Sequence, residues 1–159
     1  MKIKYVNYNP GYIFQKHGNW IDLAVSRYYV LSRGEAEFLD LGIAMKLPKW
    51  YKAEIKPRSS TFKKFGIIQV NSVGEIDTNY SGPNDVWKMP VYCLRPMSRI
   101  NQDMYATHIP ENSRVAQFTV RLREDAPWYM KIKDLFTTYK FVEVKTLKDK
   151  NRGGFGSTG

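Results

Sequence analysis

Prolines, glycines and Asn/Ser turn residues cut this chain into short β-prone runs, and that punctuation limits the folds open to it. Residues 2–8 (KIKYVNY) alternate as a half-buried strand does and are stopped by Asn9-Pro10-Gly11. Further candidate strands are 18–25, 37–47, 50–56, 67–71, 75–77, 86–94, 112–120 and 141–147, with Pro48 and Pro57 closing two of them. Pro90 places its strand at an edge or a bulge. Residues 26–36 read as turn-rich, 98–110 as a longer polar connection, and 121–150 as a more basic stretch. Only Thr61–Phe65 has room for one or two helical turns. About nine strands with so little helix predict an all-β barrel or sandwich.

The length of 159 residues suits one domain with a proper core, and 11 Tyr among 14% aromatic residues agree with strands. No apolar run approaches the roughly 18 residues of a membrane span. The opening MKIKYVNYNPGYIF has no apolar stretch of the kind a signal peptide needs. A single cysteine, Cys93, allows no intrachain disulfide, and with only His17 and His108 a zinc site is not expected. These features predict a reducing, cytoplasmic setting and no membrane partner. The formal net charge of +10 suits an anionic partner, either nucleic acid or a phosphorylated small molecule, or serves solubility alone.

Four segments carry chemistry. Gly66–Gly82 reads as a β-hairpin: a strand 67–71, a turn at Ser72–Gly74 with Gly74 taking positive φ, and a return strand 75–77. Its open edge would offer backbone N–H and C=O groups to a flat heterocycle, with Asp77 and Tyr80 directly after it. An ordinary hairpin with a surface Asp would look the same. Asp22, inside the apolar run 18–25, is costly to bury unpaired, so it either faces solvent, the better reading of the segment alone, or serves a cation. Ser59 or Ser60 suits the N-cap of 61–65, and Arg58 beside them adds a planar donor fork for phosphate. Gln117, among apolar neighbours, is a candidate polar reader. The terminus NRGGFGSTG contains G-x-G-x-x-G, but that fingerprint must open a helix and here the sequence ends. A Gly/Ser-rich terminus is ordinarily a disordered tail, but Arg152 and Phe155 suit one that folds over a base and phosphate, a lid that excludes water.

The order of these segments resembles the trimeric dUTPase family, across nearly the whole chain. The five family segments correspond to Trp20-Ile21-Asp22-Leu23, Pro57-Arg58-Ser59-Ser60, Gly74–Gly82 (Gly-x-Ile-Asp-x-x-Tyr-x-Gly), Asn112–Gln117, and Gly153–Gly159 (Gly-Gly-Phe-Gly-Ser-Thr-Gly). The third and fifth are the specific ones. The resemblance implies a jelly-roll-like β-barrel over 1–150, a flexible C-terminal lid over 151–159, and a homotrimer with sites between subunits. It also implies hydrolysis of dUTP to dUMP and pyrophosphate, with nucleic acid not required. Asp77 is then the base that deprotonates the attacking water, and Asp22 binds Mg²⁺ through water. Arg58, Ser59, Ser60 and Gln117 orient the phosphates. Asn71 and the hairpin backbone at Glu75 and Ile76 read uracil, and Tyr80 packs on the deoxyribose. Lys88 is a further substrate-facing candidate. From the tail, Phe155 stacks on the base, Gly156 and Ser157 contact substrate, and either Arg152 or Lys150 takes the phosphate.

The chain departs from the family at Arg152, which directly precedes Gly153-Gly154-Phe155, at Asn112 and Trp20, which replace glycines, and at residues 83–90, which are longer than usual. Asn112 tolerates the left-handed region that a glycine would take. The rival readings are a dCTP deaminase, a basic β-barrel binding single-stranded nucleic acid through its aromatics, and a protein of this fold that regulates a partner. A deaminase needs a Glu after the hairpin, and none lies between Gly82 and Arg95.

Overall fold

The computed structural model describes residues 1–95 and 106–154. The chain runs β1 (Lys2–Asn7), β2 (Lys16–His17), β3 (Trp20–Ala24), β4 (Tyr29–Ser32), β5 (Ala36–Asp40), β6 (Ile43–Lys46) and β7 (Tyr51–Pro57). Then follow α1 (Thr61–Phe65), β8 (Ile67–Gln69), β9 (Gly74–Ile76), β10 (Lys88–Cys93), β11 (Ala106–Ile109), β12 (Arg114–Leu122), α2 (Trp128–Asp134) and β13 (Lys140–Glu143). The strands form sheets ordered β2-β3-β12-β7-β9, β13-β1-β6, β5-β10-β8 and β11-β4. The fold is all-β, as the run of short strands predicts.

The longest pairing, β7 with β12, is antiparallel from Tyr51↔Leu122 to Pro57↔Ala116. In β7 the alternation is clean: Tyr51, Ala53 and Ile55 face the core while Lys52, Glu54 and Lys56 face outward. Burying each large apolar side chain contributes about 1.5–3 kcal/mol. At the centre Phe118 meets the rings of Trp87 (5.2 Å, 89°), Phe141 (5.8 Å, 81°) and Phe14 (5.7 Å, 63°), edge-on packings that aromatic quadrupoles favour. A register shift in β12 between Arg114 and Ala116 puts both Val115 and Ala116 inside, and Arg114 lies beside β3.

Several elements differ from the sequence reading. Residues 37–47 form two strands, because Gly42 turns the chain at φ 63° where a Cβ would stand 2.9 Å from the Asn9 side chain. The segment 26–36 contains β4, which pairs with β11 from the supposed connection before Pro110. Pro90 lies in β10, the middle strand of its sheet, one residue beyond the last β8 pairing at Val91↔Gln69. The last strand is shorter than expected, Lys140–Glu143. The helix α2 was not foreseen: it buries no side chain, and Trp128, Ile132, Leu135 and Phe136 around it are exposed.

The Gly66–Gly82 stretch is not a hairpin. β8 pairs with β10 and β9 pairs with β7, so the segment bridges two sheets. Positive φ falls at Ser72 (57°), not Gly74. Gly74 is small for a different reason: a Cβ there would lie 3.3 Å from Ile55 on the paired strand.

Candidate active site

One group of candidate residues gathers where β3, β7 and β12 run side by side. Asp22 lies opposite Gln117, and Gln117 opposite Lys56, with Arg58 just past the end of β7. Asp22 is 1% exposed. Its Oδ1 accepts from Arg58 Nε (2.9 Å), its Oδ2 from Arg114 Nη1 (3.3 Å), and His17 Nε2 is 3.6 Å from Oδ2. The solvent-facing carboxylate read from the segment alone is therefore corrected: two arginines distant in sequence close over it and supply the charge that burial requires. Gln117 Nε2 donates to the Pro57 carbonyl (3.2 Å), fixing the start of the Arg58-Ser59-Ser60 turn. Ser59 and Ser60 are exposed; Ser60 precedes α1 without a side-chain capping bond, so neither hydroxyl is needed by that helix end. Tyr12 was not foreseen here. Burial and the neighbouring Asp22 charge push its phenol up to about 12.

A second group surrounds Asp77. Its Oδ1 accepts the N–H groups of Asn79 (2.7 Å) and Tyr80 (3.2 Å), and its Oδ2 accepts from the Arg152 guanidinium. Partial burial alone raises a carboxyl's pKa, but the Asn79 N–H, Arg152 and the Tyr80 N–H outweigh it and hold Asp77 below its ordinary value. Of the two tail cations, Arg152 is the one at Asp77. Tyr80 donates its hydroxyl to Val86 O (2.9 Å), and Gly154 lies against its ring. Asp85, which the sequence reading passed over, is 1% exposed and accepts the N–H groups of Gly82, Arg152 and Gly153.

The remaining candidates are placed as follows. Asn71 accepts from Gln69 Nε2 (2.8 Å), and the same nitrogen donates to Ile55 O (3.2 Å). Gln69 thereby holds the proposed uracil reader to β7. Glu75 accepts from Lys52 Nζ (2.8 Å), and Ile76 packs on the core. A cavity of about 390 Å³ opens beside Asp77, lined by Lys52, Ile76, Asn79, Arg123 and Glu124 among others. Lys88 opens β10 opposite Asp40 on an exposed face. Phe155, Gly156 and Ser157 lie outside the described residues.

The two groups do not meet. Glu75 lies opposite Glu54 and next to Lys52, so Asp77 sits at the Tyr51 end of β7, whereas Arg58 follows its other end. From Lys52 to Arg58 at about 3.3 Å per residue is roughly 20 Å.

Among the described residues no three His, Cys, Asp or Glu side chains cluster to hold a metal ion. Asp22 does not fit the water-mediated Mg²⁺ role that the resemblance implies: it is buried, and both oxygens already accept from guanidinium groups.

The dUTPase family model matches residues 20–93. The chain is 38% identical over 160 residues to the SPbeta prophage-derived deoxyuridine 5'-triphosphate nucleotidohydrolase YosS of Bacillus subtilis, covering 100% of this chain and 97% of that one. It is 30% identical over 164 residues to the deoxyuridine 5'-triphosphate nucleotidohydrolase of Nautilia profundicola, covering 100% and 98%. Among solved structures, the dUTPase of Streptococcus mutans superposes with a TM-score of 0.62 at 20% identity, over 72% of this chain and 88% of that one. A mutant dUTPase from phage phi11 of S. aureus, described with a structural Mg(II) ion, superposes with a TM-score of 0.65 at 14% identity, over 79% and 93%. At those identities the superpositions speak to fold alone. The deaminase and nucleic-acid readings are not favoured by these matches.

Proposed function

The chain belongs to the dUTPase family, and from that membership we propose that it hydrolyses dUTP to dUMP and pyrophosphate. The observation that carries the proposal is Asp77, a carboxylate held ionised by two backbone N–H groups and one half-exposed arginine. When triphosphate arrives, Arg152 has a stronger anion to pair with and leaves Oδ2 to a water. Asp77 takes that water's proton as its oxygen bonds to the α-phosphorus, and the bond to the bridging oxygen breaks, releasing pyrophosphate.

Arg58, with Ser59, Ser60 and Gln117, orients the phosphates. Asp22 supports this indirectly by gripping Arg58 at Nε, which aims the rest of the guanidinium outward. Asn71, the backbone at Glu75 and Ile76, and Tyr80 take the uracil and deoxyribose, with Lys88 a further contact. Phe155, Gly156 and Ser157 complete the cover, residues 151–159 serving as a lid on the 1–150 body. Mg²⁺ bound to the triphosphate as its counterion would supply charge neutralisation at the phosphates, and the residues named above would act on that complex.

The roughly 20 Å between the two groups supports a site assembled from more than one copy, and we take the assembly to be a homotrimer. Among the described residues no helix is long and apolar enough to cross a membrane. We place the enzyme in the cytoplasm, in keeping with its single reduced cysteine.

The test is incubation with dUTP, dCTP, dTTP and UTP plus Mg²⁺, following pyrophosphate and ammonia. Pyrophosphate from dUTP alone is the expected result. Ammonia from dCTP, or no turnover with salt-sensitive oligonucleotide binding, would overturn the proposal.

A further inference from the structure

We propose that Asp85 is a positioning residue that seats the root of the C-terminal arm, Arg152 and Gly153, beside Asp77, an inference that rests on reading the arm as the lid of a dUTP-hydrolysing centre. Its carboxylate is 1% exposed and lies in the loop between Tyr80 and β10. Oδ2 accepts from Gly82 N (2.8 Å) and Arg152 N (3.0 Å), while Oδ1 accepts from Arg152 N (3.1 Å) and Gly153 N (2.9 Å). Two consecutive arm N–H groups thus converge on one anion. Directly after these two N–H groups Gly153 takes φ 73°, a left-handed turn that sends the chain on to Gly154 at the Tyr80 ring.

The rest of the arm root follows this seat. Asn84 N donates to Asn151 Oδ1 (2.8 Å), and Ser81 Oγ to Asp149 Oδ2 (2.9 Å). Gly82 leaves room for the arm, since a Cβ there would stand 2.7 Å from Asn151 N. With the backbone of 152 and 153 fixed, the Arg152 side chain reaches Asp77 and Gly154 meets the Tyr80 ring. Among the described residues, Asp85 is the acid that links the arm's backbone to the loop carrying the base.

Asp85→Asn keeps one acceptor oxygen but turns an NH₂ against an N–H group. In the full chain, kcat/KM for dUTP should fall roughly ten- to a hundredfold, the scale of a misplaced contact. Amide hydrogen exchange at Arg152 and Gly153 should quicken, while β7 and β12 keep their protection. In a chain ending at Lys150 the same substitution should cause no further loss. Gly153→Ala, which strains the left-handed turn, should reproduce the full-length effect should Asp85→Asn fold poorly. An equal loss with and without the arm, or unchanged exchange at 152 and 153, would overturn the proposal. If the wild-type chain hydrolyses no dUTP, the activity reading fails while the exchange data still decide the seat.

Discussion

The Arg152 guanidinium donates to the Asp77 carboxylate across 75 positions of sequence. An arginine of the C-terminal arm therefore pairs with the proposed base before substrate arrives, and the free enzyme's pH profile should register it. Asp77 sits below its ordinary value of 3.8, so the acid limb of kcat/KM should lie below that pH. Arg152→Ala removes a cation that favours the charged form, so the limb should move to higher pH. An acid limb that stays where it was in Arg152→Ala would show that the pair does not govern the base. The linked stability has the same sign: it is present above the ordinary carboxylate value and lost as pH falls through the depressed one.

Asp77→Asn keeps the shape of the side chain and removes its ability to take a proton. Turnover should fall roughly 10²–10⁴-fold while a non-hydrolysable dUTP analogue still binds. Calorimetric titration alongside pyrophosphate release checks both halves. Near-full turnover in the variant would place the base elsewhere.

Asp22→Asn separates an ion-pairing role from a metal-binding one. Loss of the charge that holds Arg58 and Arg114 should lower stability by about 1–3 kcal/mol. The Mg²⁺ dependence of turnover should keep its midpoint, read at saturating dUTP. A midpoint raised many-fold, without a drop in melting temperature, would assign Asp22 to the metal instead.

Removing residues 151–159 should leave the fold and assembly intact: among the described residues the core cluster draws nothing from 151–154. Hydrolysis should slow about a hundredfold as water re-enters the site. Melting curves and scattering check the first statement, and steady-state rates the second. An unimpaired truncation would make the tail an ordinary loose end.

Local pattern made most strands readable, because the alternation in β7 and the turn residues around β1 act within a few positions. Asn112 at φ 64° shows the same economy, being a residue that accepts the conformation where the turn needs it. What stayed hidden depends on distant partners. Gly42 sits inside an apolar run, and only the Asn9 side chain it must clear reveals the break. Ser72 and Gly74 signalled a reversal but could not say that the two flanking strands join different sheets. Asp22 read as exposed because Arg58 and Arg114 lie 36 and 92 positions away. Asp85 gave no signal at all, since its partners are backbone groups that any sequence possesses.

The proposed sharing of the site between copies, drawn from the distance between Lys52 and Arg58 along β7, carries a genetic corollary. Two chains, one disabled at Asp77 and the other at Arg58, should each be inert alone yet regain turnover when unfolded and refolded together. Random mixing would rebuild roughly one centre in four from the healthy half of each. Such rescue between broken partners is open only to a catalyst whose halves are never owned by the same polypeptide.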